Sequence, residues 1–140
     1  MKLVRIAREQ WDVLAVMDHR GHCQVLDFLE ELAPNYEAAK DAMLVLLEEV
    51  LPRIGPPRQN VQLSKPLGRG LFELRRQPKG RKLRVIFFYD SGFRIICTSA
   101  FTKAETTPQT EIDRSRFLIQ LYLEAKFRNE LVILERERDD

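Results

Sequence analysis

The chain is poor in the residues that build staples and metal sites. Among 140 residues there are two cysteines, two histidines and one tryptophan. Cys23 and Cys97 lie far apart, and neither has a Cys or His pair beside it, so no zinc spacing exists. They read as reduced structural thiols. No staple is required, because a chain of this length buries about two-thirds of the surface its unfolded form exposes. His19 and His22, either side of Gly21 in a polar stretch, read as loop residues with too few partners to hold a metal. No apolar run approaches the roughly 20 residues of a membrane span. The start, Met1-Lys2-Leu3-Val4-Arg5, lacks the apolar core and small-residue cleavage site of a signal peptide, so the expected location is the cytoplasm. There is no G-x-S-x-G, P-loop or H-E-x-x-H pattern and no carboxylate pair in the basic part of the chain. Those absences leave no motif for serine hydrolysis, P-loop chemistry or zinc proteolysis, and no cofactor is expected. Phe87, Phe88 and Tyr89 are consecutive and cannot share one strand face, which excludes an RRM-type stacking platform; Phe87 and Tyr89 read as core.

What is present is ordinary globular composition, 44% hydrophobic and 31% charged, with charge arranged unevenly. Residues 1–52 hold 5 basic and 10 acidic side chains, residues 53–103 hold 12 and 2, and residues 104–140 hold 6 and 9. The overall net charge of +2 therefore conceals a middle third at +10. Clustered Lys and Arg release counterions from phosphates, so such asymmetry points to a polyanionic partner; a solvated face is the plainer alternative.

Residues 9–17 alternate in part and read as a first strand. Val25, Phe28, Leu29 and Leu32 fall on one face of a helix, which Pro34 stops. Asn35 is the expected N-cap of a second helix with the stripe Ala39, Met43, Leu46, Leu47 and Val50, ended by Pro52 and Gly55-Pro56-Pro57. Three strands follow, Leu71–Arg76, Leu83–Tyr89 and Phe93–Phe101. Their turns, Pro78-Lys79-Gly80 and Asp90-Ser91-Gly92, each carry a glycine for a tight reversal. Thr107 is the expected cap, and Pro108 the first turn, of a last helix reaching about Phe127, with Ile112, Ile119, Leu123 and Lys126 near one side. Leu131–Leu134 either extends that helix or adds a strand, and residues 135–140 read as a charged tail. The order β, α, α, β, β, β, α indicates an α+β fold: an N-terminal strand, a helical hairpin, a three-stranded antiparallel meander and a C-terminal helix. One domain over 1–127 and a charged extension over 128–140 are expected.

If helices cover one sheet face, the other is solvated or binds something. Most of the positive excess lies on the meander and the loop before it: Lys65, Arg69, Arg75, Arg76, Lys79, Arg81, Lys82, Arg84, Arg94 and Lys103. Arg84 stands opposite the apolar series Leu83, Val85, Phe87. It is costly to bury unpaired. Either it pairs with Glu73 or Asp90, the two acids of this third, or its planar fork is presented to phosphate.

The stretches Lys65–Arg75, Arg84–Asp90, Ala100–Lys103 and Thr106–Ile112, in this order and spacing, resemble the phage-derived HigB-like branch of the RelE/ParE toxin superfamily. Val25–Leu32 resembles that branch's first helix, and the likeness spans about residues 10–125. The resemblance implies a RelE/ParE-like toxin of a type II toxin–antitoxin pair, a metal-independent and ribosome-dependent mRNA endonuclease. In it a ribose 2′-hydroxyl attacks the neighbouring phosphate. Carried over by position, Arg75, Arg84 and Lys103 are the catalytic, charge-stabilising residues, with Lys103 also a candidate for proton transfer. Lys65, Arg69, Arg76, Lys79, Arg81, Lys82, Arg94 and Phe101 are expected to contact RNA. The implied partners are mRNA, the ribosome and a cognate antitoxin, often of helix-turn-helix type, whose acidic segment would suit the basic face. The chain departs from the pattern at Ala104 and Thr106, where relatives carry lysines. That departure favours an alternative, a non-catalytic binding module of the same fold (a ParE-like inhibitor or a phage remnant).

Overall fold

The computed structural model describes residues 1–57, 60–103 and 106–136. Seven strands form one mixed sheet. In chain order they are β1 Lys2–Arg8, β2 Asp12–Met17, β3 Ser64–Gly68, β4 Leu71–Arg76, β5 Leu83–Asp90, β6 Arg94–Thr102 and β7 Val132–Glu135. Across the sheet the order is β3-β4-β5-β6-β2-β1-β7. The expected meander β4-β5-β6 is antiparallel, while β2 joins β6, and β7 joins β1, in parallel. The helices are α1 Gln24–Glu30, α2 Glu37–Val45, α3 Leu51–Ile54 and α4 Gln109–Phe127. No helix among the described residues is long and apolar enough to cross a membrane.

The mixed α+β class holds, but the sheet is larger than the sequence pattern implies. The first expected strand, 9–17, is the second half of a hairpin: β1 precedes it and residues 9–11 form the turn. Edge strand β3 escapes a propensity reading because Pro66 and Gly68 sit inside it, which only an edge tolerates. Leu131–Leu134 resolves as strand rather than helix. Asn129 takes a left-handed conformation (φ 57°) after α4 and turns the chain so that Val132 lies beside Lys2. Arg136 then pairs with Glu48 at 2.6 Å.

Alternation sends two sets of side chains to opposite faces. On one face Val13, Val85, Phe87 and Ile95 bury against Val25, Leu29, Met43 and Leu47 of the helices; Tyr89 packs half-buried beside them. On the other, Leu3, Leu14, Ile86, Phe88 and Ile96 bury against Tyr122, with Ile112 and Ile119 packed around them. Helix α4 therefore covers much of the face expected to be open. Its inward residues are Ser115, Tyr122 and Ala125, and Leu123 is exposed.

Several local expectations change. Asn35 lies within a 3-10 turn, Pro34–Tyr36, and makes no capping hydrogen bond. Pro52 does not end the second helix. A π turn, Leu46–Val50, widens the helix ahead of it, which accommodates the proline ring and its missing N–H. The stop is Gly55, whose φ of 79° and closeness to Trp11, 2.5 Å from a notional Cβ, leave no room for a side chain. In the β5–β6 turn the left-handed residue is Phe93 (φ 63°), and Gly92 serves by donating its N–H to Asp90 Oδ1 at 2.6 Å.

Candidate functional site

Leu71, Glu73 and Arg75 alternate onto the α4 face of β4. Register places Arg84 of β5 opposite Arg75, and Phe101 of β6 opposite Arg84. A buried carboxylate must be paired. Glu73 is fully buried, and Arg84, 1% exposed, sets its Nε 2.8 Å from Glu73 Oε1. Lys103 Nζ lies 3.3 Å from the same oxygen. Thr107 Oγ1 donates to the other oxygen, Oε2, at 2.5 Å. The Arg84 Nε contact is an ion pair rather than a directed hydrogen bond. The guanidinium donates instead to the Leu83 carbonyl at 3.0 Å and to Gln77 Oε1 at 2.8 Å. Burial lowers the Arg84 pKa from its ordinary value; Glu73 opposes the shift and Arg75 adds to it.

The three residues expected to stabilise charge are thus gathered at one end of the sheet, Arg84 and Lys103 around a single acid and Arg75 beside Arg84. Three cations against one carboxylate leave positive excess. The parts differ in access, however. Arg84 is sealed beneath its neighbours and is not presented to phosphate: the pairing with Glu73 prevails, because an unpaired buried guanidinium is too costly. Arg75 is half-buried, with one terminal nitrogen near the Val61 carbonyl at 3.5 Å. Lys103, 7% exposed in its side chain, is held by a carboxylate rather than crowded by cations alone. Arg75 is the cation of the three most open to an anion, while the Lys103 ammonium is held by Glu73 with little of its side chain exposed.

The remaining expected contacts divide. Arg76 and Lys82 are half-buried at the same end. Lys79 and Arg81 lie nearby but line a hollow of about 550 Å³ with Glu37 and Asp41, and Arg81 stacks over the Tyr36 ring at 5.9 Å. Lys65 is exposed on the edge strand β3, and Arg69 (φ 52°) occupies the β3–β4 turn, the far end of the hairpin from Arg75. Arg94 starts β6, roughly 30 Å of strand from Lys103 at about 3.3 Å per residue, and hydrogen-bonds Tyr122. Phe101 is buried in the α4-side core and offers no ring face to a base. Two members of the cluster carry little sequence signal. Thr107 reads as a helix cap, yet α4 begins at Gln109 with Pro108 before it. Glu73 reads only as a partner for Arg84, and its signal is being one of two acids in a basic third. Ala104, one of the two departures from the toxin pattern, lies outside the described residues.

Fold and cluster together define a small α+β protein with a cationic sheet end backed by a buried carboxylate. The family model for the phage derived protein Gp49-like (DUF891) matches residues 27–118, and the chain belongs to that family. The matched span runs from α1 into α4 and contains Glu73, Arg75, Arg84, Lys103 and Thr107. No curated protein matches the chain.

Proposed function

We propose that this protein is the toxin of a toxin–antitoxin pair, an mRNA endonuclease acting on the ribosome. The observation that carries the reading is the convergence of Arg84 and Lys103 on Glu73, with Arg75 in register beside Arg84, in a Gp49-like chain. Cleavage would proceed by attack of a ribose 2′-oxygen on the adjacent phosphorus, loss of the 2′-hydroxyl proton and departure of the 5′-oxygen with a proton gained. The products are a 2′,3′-cyclic phosphate and a 5′-hydroxyl. The phosphorane carries extra negative charge, which preorganised cations stabilise. Half-buried Arg75 and the Lys103 ammonium held by Glu73 fit that role. Arg84 is a positioning residue, acting through Glu73 on the Lys103 ammonium. The implied partners are mRNA, the ribosome and an antitoxin that neutralises the chain.

A second reading, a non-catalytic binding module, is favoured by the near-complete burial of Arg84 and Glu73 and by Thr106 at a position where the resembled toxins carry lysine. Induced expression in a bacterial host, with growth followed and mRNA 5′ ends mapped, separates the two. The endonuclease reading expects growth arrest with new in-frame cuts in translated messages, reduced at least tenfold by Lys103→Ala and partly restored in Lys103→Arg. Arrest without cuts sinks the nuclease reading and leaves a different target.

A further inference from the structure

The sheet ends on one side at β3 and on the other at β7. The two edges are built differently. Edge β3 carries Lys65, Pro66 and Gly68, residues that block or weaken pairing with a further strand. Edge β7 reads Val132-Ile133-Leu134-Glu135, without proline or lysine, and Val132 and Leu134 are 45% and 37% exposed. Val132 donates its N–H to the Met1 carbonyl, in the parallel register that sets Lys2 beside Val132. Residues alternate along a strand, so Val132 and Leu134 turn their backbone groups toward β1. Leu131, Ile133 and Glu135 turn theirs outward, where no strand among the described residues meets them.

This outward row is its own complement. In an antiparallel pair of two copies centred on Ile133, Ile133 faces Ile133, and Leu131 faces Glu135 on either side. These are the residues whose outward N–H and C=O groups can be exchanged in hydrogen-bonded pairs. The same register sets Val132 opposite Leu134 and Glu130 opposite Arg136, as the closer pairs without backbone bonds. The two exposed apolar side chains then cover each other, and unlike charges meet at both ends of the strand. Glu135 brings no unpaired charge against Leu131, because Arg5 already holds its carboxylate. A register shifted by one residue sets outward groups against residues already bonded to β1, and a shift by two loses the match of Glu130 with Arg136. The edge therefore fits a second copy of itself in one register.

We infer that edge β7 is a self-association surface, on which two copies of this chain join antiparallel about Ile133 and continue the sheet across a twofold axis. The inference is independent of whether the chain cleaves RNA. Strand β7 also lies outside residues 27–118, the span that the Gp49-like family model matches.

The test uses the full chain. Sedimentation velocity over the micromolar to submillimolar range is expected to show a reversible monomer–dimer equilibrium. Residue-resolved hydrogen exchange should find the Ile133 and Glu135 amides protected in the dimer and exchanging at least tenfold faster on dilution. The Val132 and Leu134 amides, bonded to β1, should stay protected at both concentrations. Leu134→Glu, at an exposed position, should raise the dimer dissociation constant at least tenfold with an unchanged thermal melt. Ile133→Pro removes an outward N–H and spares the β1 ladder, so it should give a monomer whose Val132 and Leu134 amides keep their protection. Val61→Glu, exposed ahead of the opposite edge β3, should change the constant less than twofold. A chain monomeric throughout that range, or a dimer whose constant moves with neither Leu134→Glu nor Ile133→Pro, overturns the inference. Protection of Ile133 and Glu135 that does not change with concentration overturns it in favour of cover from within the chain.

Discussion

At the scale of single residues, Glu73 and Arg84 show how the same side chain serves opposite sequence readings. An arginine in an apolar strand signals either a ligand contact or a buried partner, and alternation alone cannot decide between them. The deciding fact is three-dimensional: α4, Lys103 and Thr107 close over a face that the local pattern leaves open. Burial makes the pair costly to break. Removing one partner strands a charge in the interior, which typically costs about 3–5 kcal/mol. Arg84→Met is expected to lose at least about 3 kcal/mol in urea unfolding, partly recovered in the double variant Glu73→Leu/Arg84→Met. A loss in the double variant equal to the sum of the singles would deny the coupling. For this reason Lys103, not Arg84, is the position at which activity should be read.

At the scale of elements, the helices were legible and the sheet edges were not. Val25, Leu29, Met43 and Leu47 repeat at helical spacing and are buried as that spacing demands. β3 and β7 are short edge strands whose residues follow no clean alternation, and their pairing depends on distant partners. The clasp between α4 and the sheet was also invisible, because it is polar. Tyr122 donates to Asp90 Oδ2 at 2.5 Å and Lys126 at 2.8 Å, close to Arg94. Burial alone would raise the Asp90 pKa, but the donors Lys126, Tyr122 and the Gly92 N–H hold it below its ordinary value. Burial, with Asp90 beside it, pushes the Tyr122 hydroxyl up to about 12. A raised pKa means that the folded state keeps the proton after the unfolded chain has lost it. The associated stability is therefore full below about pH 10 and declines as pH rises toward 12, by about 2–3 kcal/mol at roughly 1.4 kcal/mol per unit. Urea midpoints from pH 9 to 11.5 should fall more steeply in the parent than in Tyr122→Phe; parallel slopes would remove the assignment.

At the scale of the whole molecule, the charge asymmetry visible in the sequence becomes only in part a local feature of the surface. Arg75, Arg76, Lys82 and Lys103 gather at one end of the sheet. Arg69 and Arg94 share the basic third in sequence yet sit elsewhere in space, which a linear count cannot reveal. A cationic end that takes single-stranded RNA should show affinity falling with salt at a log–log slope of about 0.7 per neutralised phosphate. Lys103→Ala should reduce that slope by about 0.7, and Arg94→Ala should leave it unchanged. Equal effects of both substitutions would disperse the binding surface over the chain.

The parallel pairing of β1 with β7 has a consequence in time. Lys2 and Val132 are neighbours across the sheet, but Val132 is made well over a hundred residues after Lys2, since the chain leaves the ribosome N-terminus first. Until Val132–Glu135 emerges, β1 is an unpaired strand edge, a template for wrong pairing. Completion of the sheet thus waits until β7 has been made, so a chain stalled before β7 is born with an open edge, whatever the state of its helices and meander.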